Sequence, residues 1–149
     1  MGALSVHLHH LAAAEGLVIN GEKDKKVIDE KVYESLETVG LVRDHAGRYP
    51  HEFSGGQRQR MEIARVLAQD PTIIILDEAT SALDSKTEYD VVRAIGDRGI
   101  TCIVIAHRLS TIRSCDEIIL MDNGKIAARG THKELMETSE QYRTLVTSE

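Results

Sequence analysis

Thr72-Ile73-Ile74-Ile75-Leu76-Asp77-Glu78 decides the fold. It is short, continuously apolar and β-branched up to its two carboxylates, and Pro71 precedes it. Such a run, from Thr72 to Leu76, reads as a strand buried on both faces of a parallel sheet. Downstream, Ser85 to Ile95 has helical spacing, with Gly96 as its stop, and Ile100 to Ala106 is a second apolar run. Strand, helix, strand in that order predicts a right-handed parallel crossover. Further on, Asp122-Asn123-Gly124 separates two strand-like runs, Glu117 to Met121 and Lys125 to Ala128. Asn-Gly in that setting predicts a tight hairpin. The tail from His132 to Val146 reads as helix in two pieces. The class is α/β, with parallel strands and a C-terminal hairpin followed by helices.

Upstream of the strand, Val27, Ile28, Val32, Leu36 and Val39 recur at helical spacing, and Gly40 suits the stop. Residues 14–26 read as a loop, and residues 41–53 as polar and irregular with Pro50 as punctuation. A second helix begins near Gly55. It places Met61, Ala64, Leu67 and Ala68 on one face, with Ile63 and Val66 alongside, and pairs Arg58 with Glu62 on the other. Pro71 ends it.

Composition narrows the function. The 149 residues carry 18 Lys+Arg against 24 Asp+Glu, a net charge of −6, which argues against binding a nucleic-acid backbone. Aromatics are 3%, so the core is aliphatic. No run approaches the roughly 18 apolar residues of a membrane span. No charged-then-apolar leader opens the chain. Cys102 and Cys115 lack metal spacing and read as reduced thiols in the cytosol. His7, His9 and His10 form a cluster that either binds metal or belongs to a loosely packed helix.

Four places can carry chemistry. Ser54-Gly55-Gly56-Gln57 opens a helix bearing Arg58 and Arg60. Glycines admit close backbone approach, and a helix N-terminus favours phosphate. The same residues also fit an S-x-x-Q capping box that needs no ligand. Asp77 and Glu78 end a parallel strand, at the edge where α/β ligands bind. Asp77 suits a Mg²⁺ shell and Glu78 a general base, although acidic residues also occur after strands as ordinary loop residues. His107 follows the second strand, on the same expected edge. Asp84 reads as an N-cap of the next helix.

These segments occur together, in order. Phe53-Ser54-Gly55-Gly56-Gln57-Arg58-Gln59-Arg60 is followed by Ile73 to Glu78, by Ser81-Ala82-Leu83-Asp84, and by Ile105-Ala106-His107-Arg108. The series closely resembles the ATP-binding cassette (ABC) ATPases, over roughly Ala14 to the C-terminus. The resemblance implies a partial P-loop NTPase (ABC) core. Residues 1–70 would form a helical signature region, with 1–13 a candidate non-native or disordered stretch. Residues 71–149 would run from Walker B to the switch histidine and tail. By the same resemblance, Ser54, Gly55, Gly56 and Gln57 are the signature motif and Asp84 closes the D-loop, all five nucleotide-binding. Asp77 is the metal-side carboxylate, and Glu78 and His107 are catalytic. Phe53 stands where Leu is commoner. Residues 14–60 resemble peptide-import ATPases, and 61–149 resemble bacteriocin and peptide exporter ATPases.

The implied cofactors are Mg²⁺ and ATP. The implied partners are a second cassette, as homo- or heterodimer, and a transmembrane transporter domain that holds the chain at the cytoplasmic side of a membrane. One element is not found. A phosphate-binding loop needs G-x-x-x-x-G-K-[ST], and these 149 residues contain none. The nearest approach, Gly16 to Lys23, displaces the Lys by one and lacks the hydroxyl. The chain alone is therefore expected not to hydrolyse ATP, and the Ile100–Ala106 strand is expected to keep an unpaired edge. Two other readings stay open. One is a non-catalytic module donating its signature motif to a complete cassette. The other is a DNA-repair-type ABC ATPase, against which the acidic balance, the absence of coiled-coil heptads and the transporter-like Ile105–Ile112 segment argue.

Overall fold

The computed structural model describes residues 21–105 and 108–148, which fall into two compact units divided after Ile105. The histidine cluster, the expected 1–13 stretch, most of the 14–26 loop and His107 lie outside the described residues.

The first unit begins with helix α1, Lys25–Thr38, capped by the Asp24 carboxylate, which accepts from the Lys26 N–H at 2.9 Å. Its end follows from Gly40, whose φ of +71° is open to glycine. The Gly40 N–H donates to the Glu37 carbonyl and the Leu41 N–H to the Leu36 carbonyl, each at 2.9 Å. This is a Schellman stop. Ile28, Val32, Leu36 and Val39 are buried, as their spacing requires. Residues 41–53 are more ordered than their polarity suggests. Two short 3₁₀ turns, Arg43–Gly47 and Pro50–Glu52, carry Leu41, Ala46 and Phe53 into the core.

Helix α2, Gly55–Leu67, buries Met61, Ile63, Ala64 and Leu67, and its C-cap Ala68 is buried too. Val66 is exposed. Glu62 pairs with Arg65, one turn on, at 2.9 Å. Strand β1, Ile73–Asp77, leads through helix α3, Ser85–Asp97, to strand β2, Thr101–Ile105. β1 and β2 pair in parallel, Ile73 against Thr101 through Asp77 against Ile105.

Two expectations need correction here. The strands are not buried on both faces. Ile74 and Leu76 are buried, while Ile73, Ile75, Ile103 and Ile105 are 49–62% exposed. The cause is an uncovered face: burial alternates along β1, so Ile74 and Leu76 join the core while Ile73 and Ile75 project from the other side. Among the described residues β2 pairs with β1 alone. In addition, Gly96 does not stop α3 but lies inside it. The left-handed residue after the helix is Gly99, at φ +77°. A side chain at the helix terminus would have been strained, and only Gly99 occupies that position.

The second unit holds helix α4, Leu109–Ile112, the antiparallel hairpin of strands β3, Ile118–Asp122, and β4, Lys125–Gly130, and helices α5, His132–Thr138, and α6, Glu140–Thr147. Asn123 and Gly124 both have positive φ, as a primed hairpin turn demands. Ile118, Leu135 and Tyr142 form its core. The Tyr142 hydroxyl is 2.9 Å from His132 Nδ1, so the buried ring keeps a polar partner.

Candidate functional site

The start of α2 and the turn after β1 are packed together. Ser54 caps α2 as a full capping box: its Oγ accepts from the Gln57 N–H at 3.2 Å, and the Gln57 Oε1 accepts from the Ser54 N–H at 3.0 Å. The ligand-free reading of the S-x-x-Q motif is thus realised. It leaves the Gly55 and Gly56 amides at the open helix start, where first-turn N–H groups have no intrahelical acceptor. The two glycines differ. A Cβ on Gly56 would lie 3.1 Å from the Ala82 carbonyl oxygen and 3.3 Å from a Leu83 methyl, so this glycine lets the turn sit against the helix. A Cβ on Gly55 would meet only Ala82 Cβ, at an ordinary 3.8 Å.

The turn itself runs from Glu78 to Asp84. The Ser81 N–H donates to the Glu78 carbonyl at 3.1 Å and the Leu83 N–H to the Thr80 carbonyl at 2.9 Å. Leu83 is buried beneath it, and the buried Thr80 hydroxyl donates to the Glu88 carboxylate at 2.6 Å. Asp84 caps α3. Its carboxylate accepts from the Lys86 N–H at 3.1 Å, the Thr87 N–H at 3.0 Å and the Thr87 hydroxyl at 2.7 Å. The Thr87 hydroxyl first, and its N–H next, hold the Asp84 carboxyl below its usual 3.8. A carboxyl lowered on folding adds stability at pH above 3.8 that is lost as pH falls through the folded value. Replacing Asp84 by Asn, itself a good cap, should flatten the acid side of a urea-midpoint-against-pH curve below pH 3.8 and leave the neutral region nearly unchanged.

Asp77 is the last residue of β1 and Glu78 the next, and both are exposed. Glu78 has φ +52°, a left-handed conformation that costs a side-chain-bearing residue on the order of 1–3 kcal/mol. Strain of this kind gathers at functional sites. Among the described residues no group of three or more His, Cys, Asp or Glu could hold a metal. Two adjacent exposed carboxylates instead suit Mg²⁺, which keeps several waters and takes one or two carboxylates plus substrate phosphates. Asp77 pairs with Ile105 across the parallel strands.

Two contributors escaped the sequence reading. The Gln59 carboxamide bridges α2 to the turn, donating to Ser81 Oγ at 2.8 Å and accepting from the Ala82 N–H at 2.7 Å. Glu88 anchors the turn from below. Arg60, beside the signature glycines in sequence, turns away from the helix start, and its guanidinium donates to the Val39 and Gly40 carbonyls at 3.3 and 3.0 Å. It closes the end of α1. A groove of about 360 Å³ beside it, lined by Glu37, Thr38, Arg60 and Asp90 among others, contains none of the sequence-predicted site residues.

Known proteins resemble this chain in sequence and in fold. A model of the ABC transporter family matches residues 4–81, just over half of the chain. The chain is 48% identical over 130 residues to the oligopeptide transport ATP-binding protein OppF of Bacillus subtilis, covering 83% of this chain and 43% of that protein. It is 54% identical over 143 residues to the multidrug transporter atrD of Emericella nidulans, covering 85% of this chain and 11% of that one. Both importer-like and exporter-like relatives therefore match. Among solved structures, a bacterial Atm1-family ABC exporter with ATP bound superposes with a TM-score of 0.76 at 31% identity, over 94% of this chain and 25% of that one. A bacterial ABC transporter cassette, solved as a dimer, gives 0.72 at 28%, over 88% and 58%. The chain spans 43% and 11% of the lengths of the two curated relatives above. With the motifs in family order, the family model matched and cassette structures superposed, the chain belongs to the ABC transporter family.

Proposed function

We propose that these residues are the signature and Walker B portion of a transporter's ATP-binding cassette, coupling ATP hydrolysis to movement of peptides or small molecules. The observation that supports it most is the packing of the Ser54–Gln57 helix start against the Glu78–Asp84 turn, with Gly56 permitting a 3.1 Å approach. A helix start offers amides to a phosphate, and carboxylates after a strand suit a metal and a general base. Ser54, Gly55, Gly56 and Gln57 would meet ATP held by an opposite cassette, with Asp84 in the turn beside them. Glu78 and His107 would serve the nucleotide of this chain's own cassette, Glu78 as general base for the attacking water and His107 toward the γ-phosphate. Asp77 would hold Mg²⁺ there, which would neutralise charge on the phosphates.

The partners follow from this division of labour: a second cassette, and a transmembrane domain on the membrane whose cytoplasmic side the chain would occupy. No helix of the described residues is long and apolar enough to cross a membrane. A second reading, a non-catalytic module that lends its signature to a complete cassette, is favoured by the absence of G-x-x-x-x-G-K-[ST] from these residues.

Both readings predict that the 149 residues alone hold nucleotide poorly. A phosphate loop supplies the amides and the Lys that neutralise the β- and γ-phosphates. Isothermal titration with Mg·ATP should show no submicromolar binding. Binding in that range would contradict the proposed dependence on a loop supplied from elsewhere.

A further inference from the structure

The structure assigns to Gln59 a positioning role: its carboxamide locks the Glu78–Asp84 turn to the helix that starts at Ser54, so the two present one rigid surface. This rests on the functional reading above, in which the helix start faces a partner's nucleotide and Asp84 lies beside it.

The turn is held at three points, and they are not equivalent. Thr80 is fixed by its bond to Glu88, and Leu83 by burial. Both anchors lie on the inner side of the turn. Between them Ser81 and Ala82 are exposed. Gln59 is the contact that ties these two residues to α2, and it uses both ends of one planar group. The Nε2 donates to Ser81 Oγ at 2.8 Å and the Oε1 accepts from the Ala82 N–H at 2.7 Å. A two-point contact fixes rotation as well as distance, which a single hydrogen bond does not. The geometry is also close: Gly56, one turn before Gln59, lies against the Ala82 carbonyl that a Cβ would approach at 3.1 Å. A shift of Ala82 would therefore be felt at the helix start. Because the Ser81 N–H donates to the Glu78 carbonyl, the lock reaches the backbone at the start of the turn as well.

Substitutions separate this role from general stability. Gln59→Met keeps length and loses both bonds. Gln59→Asn keeps the amide but is one carbon too short. Gln59→Glu keeps the length and the acceptor for Ala82, and its second oxygen can accept the Ser81 hydroxyl proton. Each neutral hydrogen bond contributes about 0.5–1.5 kcal/mol, so losing two should change a local opening equilibrium about tenfold. Amide hydrogen exchange on the ¹⁵N-labelled chain should show Ala82 exchanging about tenfold faster in Gln59→Met and Gln59→Asn. In Gln59→Glu it should stay near the parent rate, and the α2 interior amides should hardly move. Unchanged Ala82 exchange in Gln59→Met would overturn the lock. Uniform acceleration across the unit would also overturn it, since Gln59 would then be a stability residue only.

The functional arm adds each variant to a family cassette that has G-x-x-x-x-G-K-[ST] but a replaced signature serine. If the parent chain restores ATPase and Gln59→Met does not while Gln59→Glu does, the lock serves the proposed site. If Gln59→Met restores ATPase as well as the parent, the positioning role is overturned and the functional reading stands. If the parent itself fails while the Ala82 effect is seen, the functional reading fails and the lock stands.

Discussion

Replacing Leu67 by Ala should destabilise the first unit by about 2–5 kcal/mol, the largest effect expected of any single truncation in α2. Leu67 is 0% exposed and closes the last turn of the helix. It belongs to one aliphatic cluster with Leu36, Val39, Ile63, Ala68, Ile74 and Ile95, drawn from α1, α2, β1 and α3. Removing three carbons there loses their transfer free energy and leaves a cavity. Protein interiors relax only partly around such losses. The neighbouring Val66 makes the control. It is 43% exposed, and Val66→Ala should stay within about 0.5 kcal/mol. Urea unfolding followed by circular dichroism separates the two. Equal effects would mean that α2 is rotated from the described packing.

The second large effect is expected at Gly56. Gly56→Val places a Cβ 3.1 Å from the Ala82 carbonyl oxygen and 3.3 Å from Leu83, then adds two methyl groups beyond it. Neither neighbour gives way easily, because one is backbone and the other is buried. Overpacking of this kind costs about 1–3 kcal/mol. Gly55→Ala has the opposite sign. Its Cβ meets only Ala82 Cβ at 3.8 Å, and the exchange lowers the entropy of the unfolded chain, for a gain of about 0.5 kcal/mol. The same unfolding measurement reads both. If Gly56→Val proves as mild as Gly55→Ala, the α2 start does not rest on the Glu78–Asp84 turn, and the site as described does not exist.

These contrasts show what a linear reading can reach. Whatever depends on residues three or four apart is legible. The Ser54–Gln57 box, the Asp84 cap, the Gly40 stop and the Asn123-Gly124 turn are local bargains between side chains and nearby backbone, and the structure holds all four. The parallel pairing of β1 with β2 was also legible, because β-branched runs joined through a helix have few other arrangements.

Long-range contacts were not legible. Gln59 and Ser81 are 22 positions apart, and nothing in either residue type announces the pairing. Arg60 follows the two glycines in sequence, yet its guanidinium serves the end of another helix. Burial failed in the same way. Ile73 and Ile75 are as apolar as Ile74, so their exposure follows from which face of the strand they occupy and from what covers that face. Likewise Gly96 and Gly99 are equally good stops in sequence, and the length of α3 chooses between them.

On the proposed reading, these residues carry a working signature half that needs a phosphate loop from elsewhere. Adding the chain to a family cassette with an intact G-x-x-x-x-G-K-[ST] and a disabled signature serine, and following phosphate release from Mg·ATP, tests this. Release should rise with added chain, saturate, and be lost when Ser54 and Gly55 are replaced by bulkier residues. No release at saturating chain, or release that persists with both replaced, would contradict it.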